Sequence, residues 1–137
     1  MDRIYRGFSL IELMIVVAIL AIVTTWAYSS YRETVIKSHR AEGIGELLII
    51  ADRLERYYIN QGTYAGASLG TSSTDVHRAS SENGYYNFSI PTATTIVFTI
   101  TATPQGGQAN DTKCGTFTYN SVGTKTASGT LPDDKCW

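Results

Sequence analysis

From Leu13 to Val23 the chain carries no polar side chain, and an acid, Glu12, stands immediately before that run. As a helix, residues 8–28 (FSLIELMIVVAILAIVTTWAY) would be about 30 Å long, enough to cross the hydrocarbon core of a bilayer. A carboxylate at that depth costs several kcal/mol unless an opposite charge answers it. The 137 residues therefore divide into an anchoring element and one domain of ordinary size, with no room for two independent cores.

Arg3 and Arg6 precede the apolar run, and Arg32, Lys37 and Arg40 follow it together with Glu33. Cations at the extreme N-terminus favour leaving that end in the cytoplasm and exporting the remainder. The cysteines agree. Neither Cys114 nor Cys136 has a second cysteine or a histidine at zinc-ligand spacing. Behind a membrane-targeting segment they read as one disulfide in an oxidising compartment, with two free thiols as the plainer alternative. Closing a loop of that length would contribute roughly 3 kcal/mol in the chain-entropy model.

Three schemes account for the N-terminus. One is a secretory signal peptide with a poor small-x-small site in AYS, residues 27–29. Another is a plain single-span anchor. Neither gives Glu12 a purpose. The third cuts the chain after Gly7, leaving Phe8 as a new N-terminus whose amine lies one helical turn from the Glu12 carboxylate.

The segment GFSLIELMIVVAILA, residues 7–21, closely resembles the class III signal of type IV prepilins and pseudopilins. That resemblance implies a cleaved leader (1–7), a transmembrane and later filament-core half-helix (8–28), and an extracytoplasmic headgroup (29–137). It implies that a prepilin peptidase cuts between Gly7 and Phe8, that Phe8 is N-methylated, and that Glu12 pairs with the Phe8 amine of a neighbouring subunit during assembly. In lipid both charges are expensive, whereas in a filament they compensate each other. Removing one partner would leave the other uncompensated, at roughly 3–5 kcal/mol.

Helical periodicity continues after the span. Ala41, Ile44, Leu47, Leu48, Ala51, Leu54 and Tyr58 recur every three or four residues, predicting an apolar stripe that a small sheet must cover. Glu33 with Lys37, and Asp52 with Arg56, stand four apart with the acid first, as on a solvated helix face. Gly43 and Gly45 mark close packing or a bend. Asn60 and Gly62 end the helix near residue 58, and residues 62–84 read as a loop. Residues 85–90 and 95–103 read as strands, with Pro91 and PQGGQAND as boundaries; residues 114–128 read as a third strand, a turn at 121–123 and a short return strand.

This order is similar to the pilin fold and leans towards PilE-type minor pilins of the type IVa class. The expected class is α+β: a long N-terminal helix on a small antiparallel sheet, with a C-terminal loop closed by Cys114 and Cys136. Many members carry proline where this chain has Ser29 and glycine where it has Ala21, and often unwind between them in filaments. Here staying helical is cheaper.

Catalytic chemistry is hard to find. His39 and His77 have no cysteine, serine or acid at catalytic or metal spacing and read as surface histidines; GIG at 43–45 lacks the rest of a phosphate loop. No enzyme, cofactor or metal is expected. The expected role is a structural pilus subunit serving twitching motility, adhesion or DNA uptake. Its partners would be other pilin subunits, prepilin peptidase, the inner-membrane assembly platform and, before assembly, membrane lipid. The chain would sit in the inner membrane as a single-pass protein, its C-terminal domain periplasmic, and then in the surface pilus.

Two alternatives remain. One is a type II secretion pseudopilin. The other is a DNA-binding minor pilin, using Arg78, Lys113, Lys125 and Lys135 with Tyr119 and Trp137 as stacking residues. Asp111, Asp133 and Asp134 oppose the latter. So does net charge: losing residues 1–7 leaves nine basic residues against eleven acidic. Trp137, directly after Cys136, reads first as a plug for the loop.

Overall fold

The computed structural model describes residues 8–137, so the expected leader and Gly7 lie outside the described residues. Helix α1 runs over Leu10–Gln61 without interruption. The described residues up to Val35 belong to one unit, and Ile36–Trp137 form another.

Among the described residues, the apolar side chains of the first unit are uncovered. Leu10, Ile11, Ile15, Leu20 and Val23 are all more than half exposed, and Trp26 is 83% exposed. The most apolar window is long and apolar enough to cross a membrane, and none of it is buried. The hydroxyls of Thr24 and Thr25 donate to the carbonyls of Leu20 and Ile22 at 2.8 and 2.7 Å, which satisfies them within the helix. The backbone stays helical from Ala21 through Ser29 in this single chain.

In the second unit the amphipathic half of α1 supplies one wall of the core. Leu47, Ile50 and Leu54 are fully buried and Ala51 nearly so, while Ile44 and Tyr58 pack at the margin. Ala41 and Leu48, expected on this stripe, are exposed, and Ile50 takes the place in the core instead. The sheet covers a narrower arc than the run of apolar residues offers. The helix ends at Gln61, three residues beyond the expected limit. Gly62 adopts φ +70°, and its N–H caps the Tyr58 carbonyl at 2.7 Å.

The opposite wall is a four-stranded antiparallel meander in the order β1-β2-β3-β4, formed by Tyr86–Ala93, Phe98–Pro104, Phe117–Asn120 and Lys125–Ala127. Alternation sends Tyr86, Phe88, Phe98, Ile100, Ala102 and Phe117 into the core. Pro91 was expected to end the first strand, but β1 passes through it. The register slips between Ser89 and Thr92, and this bulge on an edge strand accommodates a residue with no N–H to donate. β2 begins at Phe98 rather than Thr95, because Thr94 and Val97 close the preceding turn with paired hydrogen bonds.

Both sheet edges are covered. The Phe88 N–H donates to the Ala79 carbonyl at 2.7 Å beside β1. On β4, the Ala127 N–H donates to Asp133 Oδ1 at 2.6 Å and the Trp137 indole N–H to the Thr126 carbonyl at 3.0 Å. A 3₁₀ turn at Gly106–Asn110 and a short C-terminal helix, α2 (Asp133–Cys136), complete the unit; neither was expected.

The two helix glycines differ in purpose. A Cβ on Gly43 would lie 2.6 Å from Cδ2 of Tyr86, a fully buried ring, so Gly43 marks close packing. Gly45 faces open space. Gly43→Ala should therefore destabilise the chain by about 1–3 kcal/mol. Gly45→Ala should stabilise it by up to about 1 kcal/mol. Thermal melts of both variants check the pair, and matching shifts would contradict the packing.

Candidate functional site

Two regions carry chemistry. In the first, Glu12 lies in the first turn of α1 with its side chain exposed, and Phe8 is 78% exposed ahead of the helix. Among the described residues, the apolar side chains around them are equally uncovered.

The second region is the C-terminal loop, closed by a disulfide between Cys114 and Cys136 with Cα atoms 5.6 Å apart. Its foundation is an ion pair. Asp111, 4% exposed, receives Arg40 Nε at 2.5 Å on one oxygen and Arg40 Nη2 at 2.6 Å on the other. The same carboxylate accepts the backbone N–H groups of Lys113 and Cys114 at 3.2 and 3.3 Å. One side chain thus binds α1 to the start of the disulfide loop. Burial works to raise the Asp111 pKa, but the Arg40 guanidinium and the two amides outweigh it and hold the carboxyl below its usual value.

Gln108 extends this network. Its amide nitrogen donates to the Tyr86 hydroxyl at 3.1 Å and to Asp111 at 3.3 Å. Its oxygen lies 3.1 Å from His39 Nδ1 and can only accept, so that nitrogen carries the proton. Burial, the leading cause, pushes the Tyr86 phenol up to about 12, so it keeps its proton.

Both histidines depart from the expected surface placement. His39 is half-buried and stacks on Tyr85 with ring centroids 3.6 Å apart. His77 is buried against the edge of Phe88, its Nδ1 3.0 Å from the Arg78 carbonyl. Arg40 likewise departs from the solvated face expected for the charged helix residues, whereas Asp52 and Arg56 do pair on the surface at 2.8 Å.

Of the cations considered for nucleic acid, the structure gathers some and separates one. Arg78 sits 3.5 Å from Glu46 and 3.7 Å from Glu82, away from the terminal loop. Lys125 lies over the Trp137 ring, 5.4 Å from its centroid. Lys135 and Trp137 form one side of a shallow groove, and Lys37, Arg40, Ala41 and Ile44 form the other. The Lys113 carbonyl, next to Cys114, accepts the Leu131 N–H at 2.9 Å. Trp137 is committed to packing: it meets Phe117 edge-on at 5.5 Å and Tyr119 at 6.4 Å. That leaves little of its ring for stacking on a base. Asp133 and Asp134 remain nearby, but Asp133 is engaged by the Ala127 N–H.

The pair and its network escaped sequence reading because Arg40 and Asp111 are far apart in the chain and each looks like one more surface charge. The sole local hint was an Asp three residues before Cys114, positioned to cap the turn.

Comparison with known proteins bears on both regions. Residues 29–118 match the family model described as "Type IV minor pilin ComP, DNA uptake sequence receptor", and residues 2–28 match the prokaryotic N-terminal methylation motif. Type IV major fimbrial protein FimA of Dichelobacter nodosus is 41% identical over 59 residues, 40% of this chain and 37% of that protein. The chain therefore spans little more than a third of that relative's length. Among solved structures, the non-core minor pilin PilV of Neisseria meningitidis superposes with a TM-score of 0.56 at 27% identity, covering 71% of this chain and 90% of that one. A type IV pilin from Shewanella oneidensis gives 0.51 at 28%, covering 74% and 97%.

Breaking the Arg40–Asp111 pair should strand a buried charge. Asp111→Asn is expected to cost roughly 3 kcal/mol. Because the folded-state pKa of Asp111 is depressed, the pair's contribution is complete above the ordinary carboxylate pKa of about 4 and fades as pH falls through the lower folded value. Denaturant midpoints measured against pH should show this acid limb in the native chain and a shallower one in Asp111→Asn.

Proposed function

The chain belongs to the type IV minor pilin ComP family and is a pilus subunit, and on that premise we propose that it is made as a membrane-anchored precursor and built into a filament through its apolar helix. The observation that carries this reading is the uncovered first half of α1, whose aliphatic side chains find no partner in their own chain. Lipid covers them before assembly and the helices of other pilin subunits afterwards. Prepilin peptidase cuts after Gly7, Phe8 is methylated, and Glu12 accepts the Phe8 ammonium of a neighbour as the assembly platform passes the subunit from the inner membrane into the fibre. The headgroup faces the periplasm and then the exterior. Gly7→Ala should leave the leader in place, read as the intact N-terminus by mass spectrometry. Glu12→Ala should be processed normally but missing from sheared pili. Normal processing of the first and normal incorporation of the second would overturn the scheme.

A specific observation favours DNA binding by the same subunit. The family model covering residues 29–118 is described as a DNA uptake sequence receptor. Lys125 lies over the Trp137 ring, Lys135 and Trp137 line one side of the groove with Lys37 on the other, and Lys113 stands next to Cys114 at the start of the same loop. We assign the phosphate contacts to Lys113, Lys125 and Lys135. Arg78 is left out because Glu46 and Glu82 flank its guanidinium. Mobility-shift assays on the full chain in non-ionic detergent test it. Replacing the three lysines by alanine should weaken duplex binding and flatten the log–log salt slope by about three. Absence of any shift at low salt would retire this activity and leave the filament role intact.

A further inference from the structure

Residues 78–84, RASSENG, lie along the outer edge of β1 and are fastened there without an apolar anchor. Within this segment Ser81 alone is buried, and the other six residues are exposed. Its backbone pairs antiparallel with the strand. The Phe88 N–H donates to the Ala79 carbonyl at 2.7 Å, the Ser81 N–H to the Tyr86 carbonyl at 2.8 Å, and the Tyr86 N–H to Ser81 Oγ at 3.1 Å. A turn closed by the Gly84 N–H on the Ser81 carbonyl at 3.0 Å then brings Glu82 and Asn83 against α1. The helix meets them with two acids one turn apart. Glu46 Oε1 accepts the Glu82 N–H at 3.0 Å, and Glu42 Oε2 accepts the Asn83 side-chain amide at 3.0 Å. Among the described residues, the remaining oxygens, Glu42 Oε1 and Glu46 Oε2, are buried without a hydrogen-bond partner. Arg78 stands 3.5 Å from Glu46 and 3.7 Å from Glu82, but its side chain is 46% exposed, so water screens much of that attraction.

We propose that residues 78–84 form a detachable strap over the edge of β1, held closed against the repulsion between Glu42 and Glu46, and that its release is the first opening of the headgroup. Like charges four apart on a helix oppose each other, and a buried anionic oxygen without a donor carries the full loss of its hydration. Lifting the strap returns both carboxylates to water and withdraws no apolar side chain from the core, so little resists it beyond a few polar contacts. The Tyr86 and Phe88 N–H groups then lose their acceptors together, and β1 becomes an open edge on which an extended chain can add. The rest of the sheet stays closed, because Asn87, Phe88 and Ser89 keep their register with Thr103, Ala102 and Thr101 on the other side. Two acids on a helix thereby set how often a strand edge is presented. The device works within one subunit and owes nothing to the lysine groove.

Amide exchange of the full chain in non-ionic detergent, read by NMR at rising urea below the unfolding transition, tests the proposal. The Phe88 amide should exchange faster than the amides of central strand β2 and with little dependence on urea, because the opening exposes little surface. The β2 amides should accelerate with urea, as global unfolding requires. Glu42→Gln with Glu46→Gln removes the repulsion while keeping an acceptor for Asn83 and for the Glu82 N–H, and should slow Phe88 exchange about tenfold. Asn83→Asp sets a further carboxylate against Glu42 and should speed it about tenfold. Phe88 exchange that climbs with urea in step with β2, or a Phe88 rate unchanged in either variant, would overturn the strap.

Discussion

A guanidinium removed from water is tolerable only when its charge and its hydrogen bonds are answered together, and at Arg40 one carboxylate does both. Asp111 also receives two backbone amides from the start of the disulfide loop, so the cost of burying the pair is offset by fixing three chain segments at one point. The helix, the 3₁₀ turn through Gln108 and the cysteine loop converge there. The disulfide alone would close the loop without saying where on the helix it rests. The ion pair supplies that registration, and Tyr86 packed on Gly43 supplies the adjoining fit between helix and sheet.

The two ends of the chain solve opposite problems. The headgroup buries its apolar residues internally and presents charge and hydroxyls outside. The first half of α1 does the reverse, presenting aliphatic side chains on all sides with its threonine hydroxyls folded back on the backbone. Such a segment is unstable in water and needs either lipid or copies of itself.

Much of this was legible in the residues. Leu47, Ala51 and Leu54 on the buried stripe, the helix stop at Gly62, the return hairpin after Asn120 and the Cys114–Cys136 bridge follow from periodicity, glycine placement and cysteine count. What escaped depends on contacts distant in sequence. A lone Pro91 reads as a terminator until the bulge beside it is known. A histidine such as His39 reads as surface until Tyr85 is found stacked on it. The same holds at the lysine groove: composition gives the cations, but only the fold separates Arg78 from the others and occupies the Trp137 ring.

The covered strand edges carry a further meaning. An open ladder of N–H and C=O groups is a template on which a second chain can crystallise into cross-β aggregates. Here the segment around Ala79 lies along one flank, and Asp133 with Trp137 occupies the other. Headgroups brought side by side would therefore meet without an exposed strand between them, and edge-to-edge pairing is disfavoured.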